Sequence, residues 1–218
     1  MVAEVRCFSR WLTVRFAAPF RCLSWAVVNG GVAVTDTVAW RFLELNEIEH
    51  CGDIRAWFGE RLRADGLECA VGLLTSRRLH GYVESGDRPG PCHVVATVGL
   101  SNALAAGDPV VPLAPRGAGT INILCTLAEP LTAEASLEAL ALAAEARTAA
   151  MLEAGVRSTM SNRPASGTGT DCIVIACPSA KPSVEYCGKH TEWGRLIGSH
   201  VRDAVSRGIA EWLEEPRA

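Results

Sequence analysis

A glycine- and threonine-rich segment carries the sharpest chemical signal in the sequence. Ser166-Gly167-Thr168-Gly169-Thr170-Asp171 leads directly into an apolar, β-branched run. Glycines let backbone amides approach a bound group, and hydroxyls and a carboxylate at the mouth of a strand supply donors and acceptors. The segment is not a Walker loop, because it lacks Gly-Lys-Ser/Thr and does not enter a helix. An ordinary glycine turn before a strand explains the spacing about equally well.

A second segment, Tyr186-Cys187-Gly188-Lys189-His190-Thr191-Glu192, precedes the most regular helical pattern in the chain. The free amides and the dipole at a helix N-terminus favour anionic groups, and Lys189 and His190 add proton donors. The alternative is purely structural: Thr191 caps the helix, Glu192 complements its dipole and His190 lies on the surface.

Three asparagines form a third group of candidates. Asn102 follows a predicted strand over residues 93–98, Asn122 lies in Gly119-Thr120-Ile121-Asn122, and Asn29 begins Asn29-Gly30-Gly31. A carboxamide both donates and accepts hydrogen bonds, so these side chains could hold an amide-bearing ligand. Asparagine also ends strands and forms turns for local reasons.

Several common catalytic and metal-binding patterns are absent from the sequence. There is no G-x-S-x-G elbow, the five histidines show no H-x-H or H-E-x-x-H spacing, and the nine cysteines contain no C-x-x-C pair. We therefore predict no metal site. Cys172 and Cys177 lie within the β-branched run and are predicted to be buried and inert.

Composition excludes two classes of partner. A net charge of -3 without a basic run argues against nucleic acid, and the sequence contains no apolar stretch of the roughly 18 residues that a membrane span needs. Charged residues interrupt residues 1–20, so no signal peptide is predicted. An odd number of cysteines without such a signal indicates reduced thiols, and we predict a cytoplasmic protein.

The length of 218 residues predicts a single domain over 1–218. Three prolines and three glycines in residues 107–119 mark the best junction if the domain consists of two fused halves. A homodimer is an open alternative.

The predicted elements combine strands and helices. Residues 22–28 and 32–34 flank Asn29-Gly30-Gly31 as a hairpin, and residues 53–63 have helical spacing. Further strands are predicted over 68–75, 93–98, 120–127 and 171–177, with a helix from Thr132 to Gly155 and a long amphipathic helix from Thr191 onward. This pattern predicts an α+β, sandwich-like fold in which a mixed β-sheet packs against helices.

The order of these motifs resembles the adenosylcobinamide amidohydrolase family over about residues 20–205. The last two blocks are the most specific, and Cys187 and Lys189-His190 replace smaller residues of that pattern. The matching segments are residues 29–31, 96–103, 119–123, 144–150, 167–171 and 186–198.

The resemblance implies an enzyme that hydrolyses the amide joining a corrin propionate to aminopropanol, releasing adenosylcobyric acid for coenzyme B12 salvage. The cobalt corrinoid is the substrate, and no additional cofactor is expected. Two alternatives remain open: a corrinoid-binding protein without catalytic activity, and an amidase or acyltransferase acting on another small metabolite.

Residue chemistry alone suggests a mechanism for amide hydrolysis. Asp171 or Glu192 would activate water, backbone amides of residues 167–170 would bind the oxyanion, and His190 or Lys189 would protonate the departing amine. A covalent Thr168 or Thr170 nucleophile is the rival. We expect both segments to form one reactive pocket. The predicted substrate-binding residues are Asn29, Gly30, Asn102, Asn122, Gly167, Gly169, Tyr186 and Lys189, with Trp25, Trp40 or Trp193 as possible apolar walls.

Overall fold

The computed structural model describes residues 1–47, 51–110 and 119–215. It shows an α+β fold in which a mixed eight-stranded sheet packs with three helices. The strands are β1 (Val2–Phe8), β2 (Trp11–Ser24), β3 (Gly31–Phe42), β4 (Val71–Thr75), β5 (Tyr82–Ser85), β6 (Cys92–Val98), β7 (Ala103–Leu104), β8 (Ile121–Leu127), β9 (Gly167–Thr168) and β10 (Cys172–Pro178). The helices are α1 (Ile54–Ala64), α2 (Ala133–Glu153) and α3 (Glu192–Glu214).

The main sheet has the strand order β4-β3-β2-β10-β8-β6-β5, and β1 pairs with β2 outside this path. Its centre is a parallel pair, β8 and β10, which α2 connects as a crossover. β2 joins β10 antiparallel on one side and β6 joins β8 antiparallel on the other. A separate antiparallel ribbon of β7 and β9 brings residues 103–104 beside residues 167–168.

The sheet folds over on itself because β2 and β3 are long and irregular. Their register shifts between Arg15 and Phe20, so one half of β2 pairs beside β1 and the other half beside β10. One hydrophobic cluster contains side chains of β2, β3 and β4 together with Leu124 of β8 and Val174 of β10. The N-terminal strands therefore cover one face of the central strands.

Helices α2 and α3 cover the opposite face. Their apolar side chains share a cluster with Ile123 of β8, Ile173 of β10 and Val94 of β6. Helix α1 packs on the outer side of the N-terminal strands, where its residues Phe58 and Leu62 form a hydrophobic cluster with Trp11 of β2. The central strands are thus buried on both faces, which accounts for their continuous apolar sequences.

Most predicted elements are confirmed with small changes in their ends. Asp53 caps α1 by accepting from Arg55 and Ala56, Thr132 caps α2 and Thr191 caps α3. Gly155 follows α2 with φ +66, as expected for a helix end. No element is predicted for residues 1–20, yet β1 and most of β2 lie there, and β5 also lies where no element is predicted. The predicted junction at 107–119 falls largely on residues 111–118, outside the described residues.

The predicted apolar face of α2 is partly wrong. The helical spacing of the sequence predicts an apolar face made of Leu137, Leu140, Ala141, Ala144, Thr148 and Met151. In the structure Leu137 is 59% exposed. The buried face is instead mainly alanine, with Met151 at its end, and comprises Ala135, Ser136, Ala139, Ala143, Ala146, Ala150 and Met151. Alanine allows the helix to lie close to the sheet and to α3, so the larger Leu137 is left on the outside.

None of the described helices is both long and apolar enough to cross a bilayer.

Replacing glycine with alanine should have opposite effects on stability at two positions of α3. A Cβ at Gly208 would lie 2.5 Å from Cγ2 of Val98 on β6, whereas a Cβ at Gly198 meets no atom within 4 Å. Gly208→Ala should therefore destabilise the fold by about 1–3 kcal/mol through overpacking. Gly198→Ala should stabilise it by about 0.5–1 kcal/mol through helix propensity. Urea unfolding followed by circular dichroism measures both, and equal stability of the two variants would contradict the close approach of α3 to β6.

Candidate functional site

A cavity of about 500 Å³ lies where the folded-over strands meet the start of β10. Its walls are mainly apolar and include Trp25, Val27, Ile54, Leu73 and Leu74. One edge is polar and consists of Thr75, Thr120, Asn122, Gly169, Thr170 and Asp171. An apolar cavity with a few convergent polar groups is typical of a site for a small molecule.

Asp171 organises the polar edge. Its Oδ1 accepts from the Ile121 amide at 3.1 Å and from the Thr168 hydroxyl, and its Oδ2 accepts from the Thr168 amide at 3.0 Å and from Nη1 of Arg147. The Asp171 side chain is only 6% exposed and that of Arg147 15% exposed. A buried carboxylate requires such donors, and this one ties β8, β9 and α2 to the start of β10.

The filled acceptor positions bear on the predicted role of Asp171. A carboxylate offers about four lone-pair sites, and four protein donors occupy those of Asp171. No acceptor position is left to take a proton from water in this arrangement. The geometry fits a positioning role for Asp171 better than the general-base role predicted from the sequence.

The backbone amides of residues 167–170 are also largely engaged. Thr168 N–H donates to Asp171, and Gly169 N–H donates to the carbonyl of Asn102 at 3.1 Å. Thr170 N–H has no acceptor among the described residues. Gly169 and Thr170 are the two residues of this set that line the cavity, and of their amides the one of Thr170 has no protein acceptor among the described residues.

The two glycines of this segment lie so close to other protein atoms that a side chain at either position would clash with them. A Cβ at Gly167 would lie 2.8 Å from Nη1 of Arg147, and a Cβ at Gly169 would lie 2.7 Å from Nδ2 of Asn102. Both glycines are thus required by close approach within the protein. A Cβ at Gly30 would lie 2.5 Å from the Ala26 carbonyl oxygen, for the same kind of reason.

The three predicted asparagines occupy different environments. Asn122 is 1% exposed and lines the cavity, and its Nδ2 donates to the Leu74 carbonyl at 2.8 Å. Asn102 lies beneath Gly169, and its buried Nδ2 has no acceptor among the described residues. Asn29 has φ +55 and donates to the carbonyls of Glu68 and Ala70, so its amide holds the turn between β2 and β3. Asn29 and Gly30 line a neighbouring cavity of about 560 Å³, which shares Trp25 with the first.

Arg147 is the main site residue that the sequence did not predict. Trp25, predicted as one of three possible apolar walls, lines the cavity and donates its indole N–H to the Asp171 carbonyl. Trp40 is fully buried and Trp193 packs against the core, so neither belongs to this cavity. A single arginine within the alanine-rich sequence of α2 was the available signal for Arg147.

The segment before α3 lies elsewhere. Tyr186 is 63% exposed, Lys189 pairs with Glu145 of α2 at 2.5 Å, and His190 is exposed. Thr191 accepts from Gly194 N–H, and Glu192 pairs with Arg195. The hydrogen bond from Arg195 lowers the pKa of Glu192, which makes it a weaker base. These are the structural roles set out as the alternative for this segment.

Helix α2 separates the two predicted segments. Arg147 reaches Asp171 whereas Glu145 reaches Lys189. Residues two apart project from a helix roughly 200° apart, so these side chains leave opposite sides of α2. Thr170 and Asp171 line the cavity, whereas none of residues 186–192 does. Within the described residues, the expected single pocket is therefore not formed.

The cavity also contains two thiols. Cys172 is buried, and burial raises the pKa of its thiol to about 12, which agrees with the predicted inertness. Cys51 also lines the cavity. The described residues contain no group of three or more histidine, cysteine, aspartate or glutamate side chains placed to hold a metal ion.

Comparison with known proteins identifies one family. The model of the family described as adenosylcobinamide amidohydrolase matches residues 2–217. An adenosylcobinamide amidohydrolase of Methanosarcina mazei is 30% identical over 165 residues, which cover 71% of this chain and 72% of that protein.

Two further relatives match over shorter regions. An adenosylcobinamide amidohydrolase of Halobacterium salinarum is 34% identical over 127 residues, covering 56% of this chain and 52% of that protein. An uncharacterised protein of Methanocaldococcus jannaschii is 38% identical over 92 residues, covering 42% of this chain and 36% of that protein. The chain thus spans about half the length of the first of these relatives and about a third of the second.

The Arg147 pair predicts a stability difference between two ion pairs of α2. Arg147→Met removes a donor from a buried carboxylate and should destabilise the fold by about 1.5–3 kcal/mol, the usual range for a hydrogen bond to a charged group. Lys189→Met removes an exposed pair from the same helix and should change stability little. Urea unfolding compares the two variants. Equal stability of Arg147→Met and wild type would mean that Asp171 does not depend on this donor.

Proposed function

The chain belongs to the adenosylcobinamide amidohydrolase family, and from this we propose that it hydrolyses the amide between a corrin propionate and aminopropanol. Water adds across the C–N bond, so the products are adenosylcobyric acid and the free amine. The substrate is the cobalt corrinoid adenosylcobinamide, and the proposal includes no further cofactor and no nucleic-acid partner. We place the reaction in the cytoplasm.

The match of the family model to residues 2–217 carries this proposal. It covers nearly the whole chain, so it includes every residue of the cavity and its polar edge. The apolar walls support it further, because a corrin ring has large apolar faces and carries amide groups at its margin. Trp25, with an exposed ring and an anchored N–H, suits contact with such a ring.

Amide hydrolysis needs donors for the oxyanion and a group that delivers the attacking oxygen. We assign the first role to Thr170 N–H and to the second N–H of Asn122 Nδ2, the one that does not bind the Leu74 carbonyl. The Thr170 hydroxyl is assigned to the attacking side, either as the nucleophile or by orienting water. Thr168 is less suited, because its hydroxyl already donates to Asp171. Asp171 acts as a positioning residue that holds the segment at the cavity.

The reaction itself is tested with the full chain and adenosylcobinamide. We expect liquid chromatography with mass spectrometry to show a corrinoid product whose mass equals that of the substrate minus aminopropanol plus water. Free aminopropanol should appear in an equal amount. Binding of the corrinoid without any mass change would favour the alternative of a corrinoid carrier. Absence of both binding and cleavage, together with turnover of another amide, would favour an amidase of a different metabolite.

Turnover measurements distinguish whether the reaction takes place at the segment of residues 166–171 or at the segment of residues 186–192. Thr170→Val should lower kcat about a hundredfold or more, the scale expected for a lost catalytic hydrogen-bonding group, and Thr170→Ser should retain most activity. His190→Ala should leave kcat near the wild-type value, because His190 lies away from the cavity. The acid role predicted for His190 requires instead a loss of about a hundredfold. That result, or normal turnover by Thr170→Val, would contradict the placement of the reaction at Thr170.

A further inference from the structure

A polar pocket of about 350 Å³ adjoins the apolar cavity. Its lining includes Ser76, Arg77, Arg78, Ser101 and Gly119. The two spaces are lined by consecutive residues at two points: Thr75 lines the cavity and Ser76 the pocket, and Gly119 lines the pocket and Thr120 the cavity. The backbone of residues 75–76 and 119–120 therefore forms a boundary common to both spaces.

Arg77 is the central group of the pocket. Its side chain is 4% exposed, and its amide donates to the Thr75 hydroxyl at 3.0 Å. The guanidinium packs against the backbone of Gly81, where a Cβ would lie 2.6 Å from Nη2 and 2.9 Å from Cζ. Its position is thus fixed from both ends, as in a preformed binding site.

The hydrogen bonding of Arg77 is incomplete. Glu215 contacts Nη1, and the buried Nε–H has no acceptor among the described residues. An arginine presents five N–H donors in a planar fork that matches the paired oxygens of a phosphate or carboxylate. A buried charged donor without an acceptor is costly, so it points to a group that the fork is built to receive.

The charges of the pocket favour an anion. Arg77 and Arg78 contribute two positive charges, and among the described residues of the lining the one carboxylate is that of Glu215, whose side chain is 49% exposed. The hydrogen bond from Arg77 lowers the pKa of Glu215, so this carboxylate is ionised at neutral pH. Glu215 is one residue beyond α3, at the end of the helix, where its side chain can leave Arg77 without disturbing the core.

We propose that Arg77 and Arg78 form an anion subsite that takes a phosphate group on the arm of the ligand in the neighbouring cavity, with Glu215 as the competing internal anion. This inference rests on the proposed function for the identity of the arm. The arm is the aminopropanol released by hydrolysis, and a phosphate on its hydroxyl lies only a few bonds from the scissile amide. The subsite therefore discriminates between corrinoids with a phosphorylated and an unphosphorylated arm.

Binding measurements on the full chain test the subsite with two probes at constant ionic strength. The first probe is inorganic phosphate, followed by isothermal titration calorimetry. The second is the pair adenosylcobinamide and its phosphate ester, compared as a ratio of dissociation constants. We expect the ester to bind about tenfold more tightly, in line with an added charge-assisted hydrogen bond.

Variants assign the preference to this pocket. Glu215→Gln removes the competing anion and should strengthen phosphate binding and raise the ratio several-fold, whereas Arg78→Ala should reduce both. Arg77→Lys keeps the charge but loses the fork, and circular dichroism checks that this buried variant folds. Arg202→Ala is the matched control, because Arg202 is an exposed arginine of α3 that pairs with Glu153 of α2. It should change the binding of neither probe.

The outcomes separate this inference from the proposed function. A response of either probe to Glu215→Gln and Arg78→Ala in the stated directions supports the subsite, even if no corrinoid is hydrolysed. Probes that respond to neither variant, or respond equally to Arg202→Ala, overturn it, even if adenosylcobinamide is cleaved.

Discussion

The carboxylate of Asp171 is the interaction on which the candidate site depends. It lies at the start of β10 and accepts hydrogen bonds from β8, from β9 and from α2. Transferring a carboxylate from water to a protein interior costs several kcal/mol unless charged and neutral donors replace the water. The fold supplies such donors from three separate elements, so the segment of residues 167–171 has one position relative to the sheet. Trp25 extends the same arrangement, because its indole N–H binds the carbonyl of this residue and anchors the turn after β2.

Small residues determine how closely the surrounding elements approach this carboxylate. Gly167 lets the backbone pass beside the guanidinium of Arg147, and Gly169 lets it pass beside Asn102. The alanine face of α2 brings that helix near enough to the sheet for Arg147 to reach Asp171. A glycine-rich segment before a strand therefore has two physical explanations, approach to a ligand and approach to other protein atoms. At Gly167 and Gly169 the second explanation is the one the structure supports.

Periodicity predicted the elements well where the two sides of an element differ strongly. The buried residues Leu196, Ile197, Val201, Val205 and Ile209 of α3 follow one helical stripe, and the apolar runs of β8 and β10 match strands buried on both faces. In α2 the contrast is weak, because alanine forms the buried face and leucine occurs on the exposed one, and the predicted face was partly wrong. The folding-over of the sheet depends on a register shift within β2 and on pairings between distant strands. Such features leave little local pattern in a sequence.

The residues of the candidate site also divide into those with a local sequence pattern and those that depend on distant contacts. Thr170, Asn122 and Asp171 could be selected from the sequence because their residue types and their position before strands indicate polar groups at a sheet edge. Arg147 and Trp25 could not be assigned in the same way, since their partner lies 24 and 146 residues away along the chain. The segment at 186–192 was selected for a real local feature, a capped helix start. Its side chains bind α2 and the first turn of α3, so a correct local structure there did not imply a place in the cavity.

The shape of the site follows from the bend in the sheet. Under the proposed function the substrate adenosylcobinamide is larger than a cavity of about 500 Å³, so part of it would lie outside. The cavity of about 560 Å³ beside Asn29 and Gly30 is a neighbouring space that shares Trp25 as a wall. The Arg77 pocket and the first cavity lie along the same backbone at residues 75–76 and 119–120. Under the two proposals, the apolar body of the corrinoid would occupy the first two spaces and its arm the Arg77 pocket, with the amide at the polar edge beside Thr170.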